Sequence, residues 1–181
     1  MRAKTVFKRI WVFDFDDTLI KSNAKSYVYN NGHIRFLTAS EYNTYVKKPN
    51  DIIDFSEFEN GNLILNAKKH NGWPILKAVY NKINRKLITS EIFILTARHS
   101  KCKNYIHELL KNNSIEIDLN YIITIGDAKG ELNIAEEKRA ILSNISKQYD
   151  EVFFFDDNIE NIKLASSVLG VKPRLIEEYI K

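Results

Sequence analysis

One cysteine, Cys102, in a chain of 181 residues excludes a disulfide framework and any cysteine-rich zinc site. A lone thiol is what a reducing, cytoplasmic setting leads one to expect. Three prolines and six glycines are too few for a collagen-like, mucin-like or low-complexity chain. Long hydrophobic runs are missing too, since nothing approaches the roughly 18 apolar residues of a membrane span. The first apolar run, 10–13, follows Arg2, Lys4, Lys8 and Arg9, is too short for a secretory signal and ends in acids. There is no Gly-x-x-x-x-Gly-Lys-Ser/Thr phosphate loop, and His33, His70, His99 and His107 show no metal-ligand spacing. What is present is 44% hydrophobic residues, enough for the core of a single domain over 1–181. The net charge of +4 permits an anionic partner without demanding one. Richness in Lys, Asn and Ile is the codon signature of an AT-rich bacterial or phage genome.

Five short apolar runs, 10–15, 91–95, 121–125, 152–155 and 171–176, predict buried strands, the last an edge strand because it contains Pro173. Helical patterns separate them. Tyr105, Ile106, Leu109 and Leu110 share a face in 100–110, as do Ile134, Ile141, Leu142 and Ile145 in 133–148, and Ile162 and Ala165 in 159–168. The alternation predicts an α/β fold, a parallel sheet with right-handed crossovers and helices on both faces. About 70 residues separate the first two strands, more than a crossover needs. The excess predicts a cap or flap insert at about 20–88. Within it, 26–37 reads as a β-hairpin turning at Asn31-Gly32. Thr38 to Glu41 reads as a capping box opening a short helix that stops near Pro49. The stretch 51–66 has no clear period. Pro74 suits the first turn of a helix running to Lys86, which is either part of the cap or the return crossover onto the sheet.

Ligands of parallel α/β sheets sit outside the carboxyl ends of the strands. There the chain reads Asp14-Phe15-Asp16-Asp17-Thr18 after the first run, Thr96-Ala97-Arg98 after the second, Gly126-Asp127 after the third and Asp156-Asp157-Asn158 after the fourth. A helix cap accounts for one acid per junction. It does not account for Asp14, Asp16, Asp17, Asp156 and Asp157 at two junctions, which would repel one another without a counter-charge. A hard divalent cation with oxygen ligands answers this, and Mg²⁺ keeps waters that a phosphate can displace. A carboxylate can attack phosphorus, and a second one two residues on can serve as acid and then base.

The run Asp14-Phe15-Asp16-Asp17-Thr18 after an apolar strand resembles the first motif of the haloacid dehalogenase (HAD) superfamily. Thr96 at a strand end resembles the second motif, Lys138 near a helix start the third, and Asp156-Asp157 the fourth. The resemblance implies a Rossmann-like HAD core and an Mg²⁺-dependent phosphatase acting through an aspartyl-phosphate. Asp14 would be the nucleophile and Asp16 the acid and base. Thr18, Thr96, Ala97 and Arg98 would surround the phosphate, and Lys138 would neutralise its charge. Asp14, Asp16 (through its backbone carbonyl) and Asp156 or Asp157 would hold the metal. Two rivals stand beside these: Gly126-Asp127 as the fourth motif and Lys129 as the lysine. His99 is a further substrate contact or a solvated helix start. Dehalogenases proper use no metal, and P-type ATPases need membrane spans, so the acids point to phosphatase chemistry. The chain is similar to phage-encoded HAD-type proteins and, more distantly, to the 3′-phosphatase half of bacteriophage polynucleotide kinase-phosphatases. The substrate this implies is a phosphate on a nucleotide or a nucleic-acid end. The alternatives are a small phosphorylated metabolite and a non-catalytic phosphate-binding module. No membrane partner is expected, and nothing in the sequence sets an oligomeric state.

Overall fold

A computed structural model describes residues 8–127 and 133–177. The chain runs through β1 (Arg9–Phe13), β2 (Ile20–Lys21), β3 (Ser26–Asn30), β4 (His33–Leu37), α1 (Ala39–Asn43) and β5 (Ile52–Asp54). It continues through α2 (Gly61–Leu65), β6 (Lys68–Lys69), α3 (Gly72–Asn84), β7 (Ser90–Thr96) and α4 (Lys103–Asn112). Last come β8 (Ile122–Thr124), α5 (Ile134–Ser146), β9 (Glu151–Asp156), α6 (Ile159–Ala165) and β10 (Val171–Leu175). Five strands form one parallel sheet in the order β10-β9-β1-β7-β8. β10, which carries Pro173, lies at an edge, where the missing N–H costs no ladder bond.

Side-chain alternation along the strands divides the core in two. Phe13, Phe155, Ile92 and Ile94 face α3 and α4, where Leu76, Val79, Ile106 and Leu110 are buried. Ile10, Val12, Val152, Phe154 and Leu95 face Leu142 and Ile145 of α5 and Ala165 of α6. β1, β7 and β9 are covered on both faces, which is why they read as apolar runs. This is an α/β, Rossmann-like fold with helices on both faces of a parallel sheet. Among the described residues, no helix is long and apolar enough to cross a membrane.

Between β1 and α3 the chain makes two small additions. β2 and β6 pair as a short antiparallel ribbon beside the end of β1. β4, β3 and β5 form a three-stranded antiparallel sheet. Its hairpin turns at Asn31 (φ 47°) and Gly32 (φ 80°), the left-handed pair a two-residue turn requires. The capping box is formed, with Glu41 N donating to Thr38 Oγ1 at 3.2 Å and Thr38 N to Glu41 Oε2 at 2.8 Å. The helix it opens, α1, ends at Asn43 instead of near Pro49. The Thr44 hydroxyl donates to the Glu41 carbonyl at 3.1 Å and closes it. In 51–66 the structure contains β5 and α2, which have too few residues to show a period. α3 starts at Gly72, so Pro74 lies in its first turn, and Trp73, Leu76 and Val79 join the sheet's core. It is the return crossover.

β1 ends at Phe13, two residues before its apolar run does. The Phe15 carbonyl accepts from Leu19 N at 2.9 Å and Ile20 N at 3.0 Å, and Asp17 takes φ 52°. The left-handed Asp17 turns the chain sharply just past the strand, a conformation Asp tolerates better than most residues.

Candidate active site

β1 and β9 are neighbours, and the connections leaving them run to opposite sides of the sheet. A crevice forms at such a reversal, outside the carboxyl ends of the two strands. Asp14 follows β1 there, its N–H donating to the Phe155 carbonyl at 2.8 Å. Asp156 ends β9 and Asp157 follows it. Oxygens of Asp14, Asp156 and Asp157 all lie within 4.8 Å of one another. Lys138, from the second turn of α5, inserts its ammonium among them, 2.6 Å from Asp14 Oδ1 and 2.8 Å from Asp156 Oδ2. Asp14, Lys138 and Asp156 are 5%, 2% and 0% exposed, so their charges act on one another with little water between.

Asp156 has few free lone pairs. Oδ1 accepts from Asn158 N at 2.8 Å and from Asn161 Nδ2 at 2.9 Å. Oδ2 accepts from Lys138 and from the same Asn161 amide at 3.0 Å. Asp157 accepts the Thr18 hydroxyl at 3.1 Å. Burial pushes the Asp157 carboxyl up to about 7, with Asp156 and Asp17 adding to the rise. Burial also raises Asp14 well above the usual range, opposed by Lys138 and helped by Asp156 and Asp157. Burial would lower Lys138, but Asp14 and Asp156 outweigh it and hold its pKa above the ordinary lysine value. The site is therefore short of positive charge.

Asp16 stands apart from this trio. Arg98 forks over it, Nε to Oδ2 at 2.8 Å and Nη2 to Oδ1 at 2.6 Å. Arg98 was expected to reach a phosphate. Its guanidinium lies on Asp16, the Phe58 carbonyl and Ser22 instead, because burial leaves it no water and a carboxylate is the strongest partner in reach. Thr96, 1% exposed, accepts from Arg98 N at 3.2 Å, and Ala97 is exposed beside it. Thr18 is fully buried, its carbonyl accepting from Gly72 N at 2.9 Å.

Asp127 and His99 lie elsewhere. Asp127 accepts from Ser100 N at 3.0 Å and Ser100 Oγ at 2.8 Å, and lies 2.9 Å from His99 Nε2. It ties the β8 end to the turn after β7, and is outside the Asp14 trio. His99 caps that turn, accepting from Lys101 N at 3.2 Å. Lys129 lies outside the described residues. Asn161, Phe58 and Ser22, which meets Arg98 Nη2 at 3.3 Å, were not singled out from sequence. Asn161 grips both oxygens of Asp156, and Phe58 meets Arg98 across the insert. The Asp156-Asp157-Asn158 run and the apolar helix after it were the only sequence signal for Asn161.

No family model and no curated protein matches the chain. In solved structures, the HAD domain of the effector protein Lem4 from Legionella pneumophila is similar in fold. It covers 97% of this chain and 89% of its own, at 15% identity and a TM-score of 0.51. The structure of an inactive mutant of that domain aligns at 14% identity and a TM-score of 0.49, over 97% and 88% of the two chains. The fold is HAD-like.

Proposed function

We propose that the chain is a metal-dependent phosphomonoester hydrolase working through a phosphoaspartate on Asp14. One observation carries this reading: a buried Asp14 shares an ammonium and a 4.8 Å cluster of carboxylate oxygens at the switch point of a HAD-like sheet. A cation fits the residues present. Three carboxylates face one ammonium, and burial has raised two of them, so a hard divalent ion with oxygen ligands would supply the missing charge. Asp14 and Asp157 would hold it, because the Asp156 oxygens are taken up by Lys138, Asn158 and Asn161. The Asp16 backbone carbonyl would complete the protein's share. Mg²⁺ bound there would withdraw charge from the phosphoryl oxygens.

The chain's own groups divide the remaining work. The Asp14 carboxylate attacks phosphorus and displaces the alcohol oxygen, which takes a proton from Asp16. Asp16 then removes a proton from the water that cleaves the acyl phosphate. Lys138 offsets the charge of Asp14 and of the phosphoryl group throughout. Thr18 holds Asp157, and the hydroxyl of Thr96, the last residue of β7, would donate to a phosphoryl oxygen. The substrate we favour is a phosphate on a nucleotide or nucleic-acid end. The net charge of +4 and the exposed Lys68 and Lys69 on the ribbon next to the site support an anionic leaving group. A cytoplasmic place of action accords with the lone buried Cys102.

The test is turnover of para-nitrophenyl phosphate with Mg²⁺ and with EDTA, for the wild type and Asp14→Asn. Activity that needs Mg²⁺ and falls by orders of magnitude in Asp14→Asn is expected; wild-type rates in Asp14→Asn would overturn the reading. Substrate class is read from salt. For a phosphorylated oligonucleotide kcat/KM should fall steeply with salt, by counterion release, and for para-nitrophenyl phosphate little. Parallel salt curves would favour a small metabolite.

A further inference from the structure

Arg98 is 3% exposed, unusual for an arginine, and all three of its guanidinium nitrogens are engaged. Two fork over Asp16, Nη1 donates to the Phe58 carbonyl, and Nη2 also reaches Ser22 Oγ at 3.3 Å. The Phe15 and Phe58 rings lie 5.7 and 5.3 Å from its Cζ. Asp16 belongs to the loop after β1 and Arg98 to the loop after β7. Ser22 and Phe58 belong to the segment inserted between β1 and α3. One buried side chain thus joins the inserted segment to the carboxylate beside the nucleophile. The fork holds both oxygens of that carboxylate and fixes its plane, which a lysine ammonium could not do.

We propose that Arg98 is a positioning residue: it sets the direction from which Asp16 meets the leaving oxygen, and through Phe58 and Ser22 it makes that direction depend on how the inserted segment lies. The proposal rests on the reading of Asp16 as proton donor. It moves Arg98 from the phosphate, where the Thr96-Ala97-Arg98 run suggested it, to the proton. A misaimed donor costs most where the leaving oxygen is most basic. An arginine that bound the phosphate would cost every substrate alike.

The experiment measures kcat and KM at one pH for a series of aryl and alkyl phosphates spanning leaving-group basicity. The proteins are the wild type, Asp16→Asn, Arg98→Lys, the double variant and Phe58→Leu, with thermal unfolding as the control for folding. Arg98→Lys should lose roughly 10²-fold in kcat on alkyl phosphates, the scale of general acid catalysis, and under about tenfold on para-nitrophenyl phosphate, with KM little changed. The double variant should be no slower than Asp16→Asn, since the two residues act as one unit. Phe58→Leu keeps the main-chain carbonyl and loosens the ring over the guanidinium, so it should show the same trend more weakly. It decides the question if the Arg98 variant does not fold. A loss equal across the series, a shared rise in KM, or additive losses would overturn the proposal and leave the phosphatase reading standing. No turnover by the wild type on any phosphate would overturn both.

Discussion

At Lys138 a single ammonium lies between two buried carboxylates, 2.6 Å from Asp14 and 2.8 Å from Asp156. Desolvating such a trio is costly, and the attraction between its members offsets that cost only while the geometry is kept. Removing the middle charge leaves two carboxylates facing each other without water. Lys138→Ala should therefore lose about 3–5 kcal/mol of stability in metal-free buffer, read by urea unfolding. Its kcat should fall roughly 10²–10³-fold at saturating Mg²⁺, the scale of losing one preorganised donor. An unchanged urea midpoint would mean that Asp14 and Asp156 do not depend on Lys138 for their charge. This residue was legible from sequence because its place is ordered along the chain, between a Thr-ending strand and an acidic strand end. Arg98 was legible as a residue but not as a contact: its partner Asp16 is 82 positions away, and only the fold decides which anion a buried guanidinium finds. Asn161 was illegible because its role depends on a side chain turning back five residues to Asp156.

Elements hold the site by their ends, and two of those ends make tests. Gly126, just past β8, lies so close to the Ala97 carbonyl and Arg98 backbone that a Cβ would overlap both. The obstacle is main chain, so it cannot swing aside. Gly126→Ala should cost about 1–3 kcal/mol by overpacking, measured by denaturant unfolding, and should shift the loop after β7 that carries Arg98. A neutral Gly126→Ala would show that the β8 end moves freely against β7. At the amino ends of the strands Glu151, which opens β9, ties three strands together, accepting from Arg9 Nε of β1 at 2.5 Å and from Lys172 of β10. The Lys172 hydrogen bond, opposed by desolvation and helped by Arg9, holds its carboxyl below the usual glutamate range. A depressed carboxylate contributes stability above its unfolded value, near 4.3, and loses it as pH falls through the lower folded value. Glu151→Gln should thus melt slightly below the wild type at pH 7, and the gap should close on acidification below about pH 4. A gap that persists in acid would assign the effect to packing instead of charge. The core strands were readable because they are covered on both faces and so are apolar throughout. β2, β5, β6 and α2 were not, since two to five residues cannot display a period.

For the molecule as a whole, the sheet order puts the ends of β1 and β9 side by side, and this turns two acidic runs 142 positions apart (Asp14 and Asp156) into one cluster. Anything that binds the folded cluster and not the unfolded chain must raise global stability by mass action, about 2.7 kcal/mol at a hundredfold excess over Kd. For a chain of this size that corresponds to a rise in Tm of roughly 5–10 °C. Two acidic junctions compete for the role. Asp157 lies in the trio and is pushed up to about 7 by burial and its anionic neighbours, so a cation there relieves a real electrostatic cost. Asp127 is already satisfied by Ser100 and His99 at the β8 end, and a cation would have to displace those contacts. Thermal unfolding with and without Mg²⁺ separates them. The wild type and Asp127→Asn should both gain the shift, and Asp157→Asn should lose most of it while melting higher than the wild type without metal, because one like-charge repulsion is gone. A shift retained in Asp157→Asn and lost in Asp127→Asn would move the cation to the Gly126-Asp127 junction and, with it, the chemistry away from Asp14.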